Sequence, residues 1–246
     1  MLVIAHLSDT HLDGGDRAAD RTTRVMAYLN DLAQPVDAVL VTGDIADHGK
    51  PAEYEEARRL LEAPYPVLHC PGNHDERAAY REVLLDRPDG AAPINQAHRV
   101  AGAVFALCDS TIPGRDDGLL TDETIAWLER LLAETPADTP VFVCFHHPPV
   151  TLTIPYVDGI RQFGEGRLAE LVAGDPRIVA LLCGHAHTPA ATTFAGKPLL
   201  VAPGVVSTTV LPWERGDLVD LDHPPAVAFH VLDDEGRLTT HYRVVP

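Results

Sequence analysis

Apolar runs along this chain repeatedly end in polar clusters able to bind a metal, and that arrangement constrains the fold more than any other feature. Residues 2–7 are followed by Asp9 and His11, and 38–42 by Gly43-Asp44. Residues 66–70 are followed by Gly72-Asn73-His74-Asp75, 141–145 by His146-His147-Pro148-Pro149, and 178–183 by Gly184-His185-Ala186-His187. In open α/β sheets, the loops beyond the carboxyl ends of the strands converge on one crevice, so residues distant in sequence can meet there.

The runs Val39-Leu40-Val41, Val141–Phe145 and Ile178–Leu182 are continuously apolar, as suits strands buried on both faces beneath helices. Strands are predicted over 2–7, 38–42, 66–70, 99–108, 141–146, 178–183, 198–202, 226–232 and 238–244. Helices are predicted over about 17–33, 51–63, 75–86, 121–134 and 165–174. Pro51 suits a first helical turn, and Thr121-Asp122-Glu123-Thr124 reads as another helix start. The order predicts an α/β fold with mixed sheets covered by helices. With 246 residues, no internal repeat and no Ser/Gly linker, one domain over residues 1–246 is expected.

Composition narrows the partners. The net charge of −17 argues against a nucleic-acid polymer, which demands clustered Lys and Arg, and against an anionic membrane surface. Metal ions can still supply local positive charge for an anionic small-molecule substrate. No signal-like leader or long apolar span is evident, which predicts a soluble cytoplasmic protein. Cys70, Cys108, Cys144 and Cys183 form no C-x-x-C pair; they read as small buried hydrophobes rather than a zinc-thiolate site or disulfides.

Imidazoles and carboxylates without thiolates suit first-row metals. Side chains one residue apart, as in Asp9-x-His11 and His185-x-His187, share one side of an extended loop. A single carboxylate can bridge two ions, and Asp44 is the candidate. Two ions about 3.5–4 Å apart can clamp a phosphoryl oxygen and generate a nucleophile at neutral pH. The glycines at 43, 72 and 184 are expected to allow unusual backbone angles and close approach.

Together, Asp9-x-His11, Gly43-Asp44, Gly72-Asn73-His74-Asp75, His146 and Gly184-His185-x-His187 resemble the signature blocks of the calcineurin-like metallophosphoesterase superfamily. The resemblance covers residues 9–187 and implies a four-layer α/β/β/α sandwich with two mixed β-sheets flanked by helices. It implies one metal site of Asp9, His11, His187 and bridging Asp44, and a second of Asp44, Asn73, His146 and His185. His74 matches the histidine that stabilises the transition state or protonates the leaving oxygen; Asp47 matches the position that orients it in some members. The implied cofactors are two divalent or mixed-valence ions, iron or manganese first, with zinc or cobalt as alternatives. His146-His147-Pro148-Pro149 looks like the bacterial class III cyclic nucleotide phosphodiesterases and their glycerophosphodiesterase relatives. His48 stands where phosphoprotein phosphatases carry Arg, and no Tyr lies near Asp44, unlike purple acid phosphatases.

The expected activity is hydrolysis of a small phosphodiester, with 3′,5′-cyclic AMP as the leading substrate. Glycerophosphodiesterase and broad-specificity phosphomonoesterase or nucleotidase activity are the alternatives, and a non-catalytic scaffold is a remote one. His6, His69, His98, His223, His230 and His241 read as structural, although the loop before the strand at Arg99, where His98 lies, is unplaced and could bring it to the site. Asp75 reads as a helix N-cap, and His147 as a ligand-supporting donor, a substrate contact or a loop residue. The stretch 151–166 reads as a flap over the pocket, a homodimer contact or a plain loop.

Overall fold

The computed structural model describes residues 1–87 and 90–246. Its first half contains β1 (Leu2–Leu7), α1 (Asp16–Asn30), β2 (Ala38–Thr42), α2 (Pro51–Leu60), β3 (Val67–Cys70) and α3 (Arg77–Leu84). There follow β4 (Gln96–Val100), β5 (Ala103–Leu107), β6 (Gly118–Leu119), α4 (Asp122–Glu134), β7 (Val141–Cys144), α5 (Pro155–Gly159), β8 (Gln162–Phe163) and α6 (Gly166–Gly174). The chain ends in strands: β9 (Ile178–Cys183), β10 (Ala190–Phe194), β11 (Lys197–Val201), β12 (Thr208–Thr209), β13 (Val219–Asp220), β14 (Ala226–Leu232) and β15 (Leu238–Val244).

Two large mixed sheets face each other. One has the order β15-β14-β1-β2-β3, the other β10-β11-β9-β7-β5-β4. Strands β1, β2 and β3 run parallel, as do β5, β7, β9 and β11, while β14, β15, β4 and β10 are antiparallel additions. Alternating residues explain the layering, because successive side chains of a strand point to opposite faces. Ile4, Leu40 and Leu68 of the first sheet pack with Phe105, Phe142 and Leu182 of the second, and the Phe105 and Phe142 rings stack at 5.1 Å. The opposite faces bury Ala5, Val39 and Val41 under α1–α3, and Val104, Val143 and Leu181 under α4–α6. The result is the expected four-layer α/β/β/α sandwich.

The departures have local causes. The run 99–108 is a hairpin rather than one strand: Ala101 (φ 46°) and Gly102 (φ 83°) turn the chain between β4 and β5. Both central residues have positive φ, as a tight two-residue hairpin requires. Strand β10 is an edge strand with exposed Ala191, Thr192 and Thr193, so it shows no apolar alternation. Asp75 does not cap α3. Glu76 does, its side chain accepting from the Ala78 and Ala79 amides. The helix start at Thr121 is as expected, with its hydroxyl accepting from Thr124 N.

Candidate metal centre

The parallel strands of both sheets deliver their carboxyl ends to one rim, where their loops interlock. Asp9 N donates to Gly43 O (3.1 Å), His11 N to Asp44 O (2.9 Å) and Gly184 N to His146 O (2.9 Å). Asp9, His11, Asp44, His185 and His187 all have positive φ, between 42° and 70°. The loops are therefore not extended, as the one-residue spacing had suggested. Each such residue costs on the order of 1–3 kcal/mol and persists only where surrounding contacts over-determine it. Asp and His tolerate this region better than most residues.

The glycines act differently from one another. Gly43 has φ 89°, whereas Gly72 and Gly184 do not have positive φ and are there for space. A Cβ on Gly72 would collide with the Asp44 carboxylate, and one on Gly184 with the Ser8 hydroxyl.

All seven candidate ligands come together. Ligand atoms of Asp9, His11, Asp44 and His187 lie within 4.8 Å of one another. Beside them, His146 Nε2 stands 3.2 Å from Asp44 Oδ2 and 3.2 Å from Asn73 Oδ1, and His185 Nδ1 is 3.1 Å from Asn73 Oδ1. Asp44 Oδ2 is also 3.4 Å from His11 Nε2, so one oxygen belongs to both clusters. Its other oxygen accepts from His74 N at 2.9 Å.

The hydrogen bonds on the far side of three of the four rings bear on whether a cation fits; His185 Nε2 is buried without a partner. His146 Nδ1 donates to Thr42 O (2.6 Å) and His11 Nδ1 to Asp47 Oδ1 (2.8 Å). His187 Nδ1 pairs with Ser207 Oγ at 2.7 Å. With the proton on Nδ1, each neutral ring presents an Nε2 lone pair to a carboxylate, and that arrangement is repulsive until a proton or cation lies between. Asp9 Oδ1 is buried with no hydrogen-bond partner and lies 3.4 Å from His187 Nε2. The donor set fits two metal ions of the first-row, imidazole-carboxylate kind.

The same field is seen in proton affinities. Burial opposes a charge on His146, yet Asp44, Asp9 and the Thr42 carbonyl push it up to about 9. Burial would raise Asp44, but His146, His11 and His74 hold its carboxyl well below the usual range. Asp75, buried and near Asp44, is raised to about 6. Its carboxylate accepts from the amides of Gly72 (2.8 Å), Ala46 (3.1 Å) and Ile45 (3.2 Å), tying the Asp44 loop to the Asn73 loop.

His74 Nδ1 donates to the Asp47 backbone carbonyl at 2.8 Å, and the Asp47 carboxylate is taken by His11 instead. His147 is satisfied on both nitrogens, by Ser110 Oγ (2.8 Å) and Asp116 O (3.2 Å), and so supports the loop rather than the ions. A cavity of about 320 Å³ opens over the clusters, walled by Tyr156, Val157 and Ile160 of the α5 region and by Thr209, Leu218 and Val219 of β12–β13. His98 is not part of this lining. The segment 151–166 thus walls the pocket. Ser207, Thr42 and the β12–β13 residues carried no sequence signal, because their roles exist only by contact.

The model of the calcineurin-like phosphoesterase family matches residues 2–189. The chain belongs to the calcineurin-like phosphoesterase family. It is a hydrolase of phosphate esters. It is 36% identical over 217 residues to the glycerophosphodiester phosphodiesterase GpdQ of Enterobacter lignolyticus, covering 83% of this chain and 78% of that protein. It is 33% identical over 219 residues to a cAMP/cGMP dual specificity phosphodiesterase of Mycobacterium tuberculosis, covering 84% and 68%. A 3′,5′-cyclic adenosine monophosphate phosphodiesterase CpdA of Pseudomonas aeruginosa is 30% identical over 249 residues, covering 97% and 88%. Among solved structures, a dimetal phosphatase from Danio rerio superposes with a TM-score of 0.74 at 14% identity, covering 100% and 99%, a likeness of fold. Among the described residues, no helix is long and apolar enough to cross a membrane.

Proposed function

We propose that this chain is a dinuclear metal-dependent phosphodiesterase acting on small diesters, with 3′,5′-cyclic AMP or another cyclic nucleotide as the leading substrate. Asp9, His11, Asp44 and His187 would hold one ion, and Asp44, Asn73, His146 and His185 the other. Iron or manganese is the expected metal, with zinc or cobalt as alternatives. When bound, such ions activate water and offset the phosphate charge. The protein's residues do the rest. Asp44 would join the two sites, the far-side hydrogen bonds hold the imidazoles in the required tautomer, and His74 gives a proton to the departing oxygen. His74 suits that role because Asp47 O takes its Nδ1 proton, so that the ring in its doubly protonated form would aim the Nε2 proton at the departing oxygen.

The observation that carries the diester reading is the cavity wall. Among the described residues, no Lys or Arg lines it, while Tyr156, Val157, Ile160, Leu218 and Val219 make one side apolar. With no Lys or Arg on the wall, the second negative charge of a monoester finds no side-chain cation there, whereas a diester carries one charge and brings a second organic substituent to the apolar side. The identity to GpdQ supports glycerophosphodiesters as the second reading. Residues 1–246 are read as one domain, since the two sheets share the intersheet core, and the cytoplasm is its proposed place.

The test is initial-rate hydrolysis after loading with manganese, iron or zinc. The substrates are 3′,5′-cyclic AMP, 2′,3′-cyclic AMP, glycerophosphodiesters and p-nitrophenyl mono- and diesters. Preference for diesters that disappears in Asp44→Ala supports the reading. Faster monoester turnover with every metal sinks it in favour of a phosphatase.

A further inference from the structure

The pocket wall opposite α5 is an excursion of the chain, residues 207–220, standing on a narrow neck. Among the described residues, its strands β12 and β13 pair only with each other, Thr208 opposite Asp220 and Thr209 opposite Val219. Val210 N donates to Leu218 O at 3.0 Å. A two-stranded ribbon of this size is marginal by itself, so its position must come from its base. The base does more than carry Leu218 and Val219 into the cavity. Ser207, its first residue, pairs with His187 Nδ1, and Thr209 N donates to His187 O at 3.3 Å.

Both sides of that neck are held by one helix. Arg21 of α1 is buried, and its guanidinium points at backbone rather than at a carboxylate. Nε donates to Val205 O (2.6 Å) and Nη2 to His223 O (2.6 Å), with Nη1 3.5 Å from Leu221 O. The exposed Arg17, one turn earlier, donates from Nη2 to Val206 O (2.7 Å) and to Leu221 O. The incoming segment, 205–206, and the outgoing segment, 221–223, are thus clamped together by the planar fork of Arg21. A lysine, with one flexible ammonium, cannot reproduce this. Val205 N and Val206 N in turn donate to Ser8 O (2.9 Å) and Asp9 O (3.0 Å), so the clamp is continuous with the loop that bears Asp9 and His11.

We propose that Arg21 is a positioning residue for this active site: by clamping the neck of the 207–220 hairpin, it sets both the apolar substrate wall and the orientation of His187 through Ser207. The part concerning His187 rests on the metal-centre reading above; the part concerning the hairpin does not. Loss of the clamp leaves the hairpin free to move away from the pocket and Ser207 free to leave His187. Misplaced partners of this kind typically weaken metal binding 10–100-fold.

The experiment compares the full chain with Arg21→Met, which keeps the apolar stem without the donors, with Arg21→Lys, and with Arg17→Met. Three quantities are read: tryptic cleavage at Arg215 near the hairpin tip, followed by fragment mass; metal affinity by calorimetry on the apoprotein; and KM and kcat at saturating metal. Arg21→Met is expected to cleave faster at Arg215, to bind one of two ions about tenfold more weakly, and to raise KM well beyond any change in kcat. Arg21→Lys should restore little of this, because the fork is what holds the two segments together. A folded Arg21→Met protein with wild-type cleavage overturns the clamp. Faster cleavage with unchanged metal affinity and unchanged KM overturns its role in the site. If Arg21→Met does not fold, Arg17→Met decides, since Arg17 is exposed: the same changes at smaller size support the proposal, and none of them overturns it. Wild-type protein that binds no metal would defeat the metal-centre reading, while cleavage and KM still judge the clamp.

Discussion

Asp47 serves His11 rather than His74: its Oδ1 accepts the His11 Nδ1 proton at 2.8 Å, while its distance to His74 Nδ1 is 3.6 Å. His74 is held by the Asp47 main chain instead. A side-chain substitution at position 47 therefore removes the support of a candidate ligand and leaves the support of the candidate acid in place. Asp47→Ala is expected to lower metal affinity about 10–100-fold and to regain most of its turnover with excess metal. Calorimetric titration beside rate measurements checks this; a loss of kcat that no metal concentration restores would return Asp47 to the role of orienting His74.

His74→Ala should behave in the opposite way. Both ions should remain bound with near wild-type affinity, and kcat should fall about 10²–10⁴-fold for leaving groups that need a proton. The loss should be much smaller for p-nitrophenolate, which departs without help. Equal losses for cyclic AMP and for a p-nitrophenyl diester would argue that His74 acts on charge at phosphorus and not on the leaving oxygen.

Protons and metals compete for the same lone pairs. With His146 raised to about 9 in the metal-free protein by Asp44, Asp9 and the Thr42 carbonyl against the pull of burial, a proton must leave it before a cation binds. Metal affinity should therefore increase with pH through the neutral range and level off above about pH 9. Each bound ion should release protons, measurable as a buffer-dependent heat in calorimetry. Chelation should also lower the melting temperature, because the lone pairs and carboxylates are left facing one another. Affinity independent of pH between 6 and 9 would contradict this account.

A second histidine pair, remote from the pocket lining, predicts acid sensitivity. His6 and His230 are wholly buried between the sheets, Nδ1 to Nε2 at 3.0 Å, and each has a threonine on its other nitrogen. Burial lowers His230 to about 3 and pushes His6 well down, with His230 adding to the latter. Both groups titrate lower in the folded state than in the unfolded chain. Their stability contribution is therefore complete above about pH 6.5 and is lost progressively as the pH falls below it. Denaturant unfolding from pH 7 to pH 4 should show this decline, and the double substitution His6→Leu/His230→Leu should flatten it. A decline of unchanged slope in the double variant would place the sensitivity elsewhere.

Much of the molecule was legible from residue order. Strands β1, β2, β9, β14 and β15 lie at the predicted boundaries, because continuous or alternating apolar runs with polar ends leave a strand few other registers. The candidate ligands were legible for a related reason: metal-binding residue types recur immediately after buried parallel strands, whose loops can only gather at one rim. Sequence could not show how the site is held. Asp47 chose His11, Asp75 joined two loops instead of capping a helix, and Ser207 and Arg21 came to act on His187 from 20 and 166 positions away. These roles depend on hydrogen bonds between groups distant in sequence, several of them to backbone atoms that have no residue identity. Only the packing of the two sheets and the neck of the hairpin decides such distances.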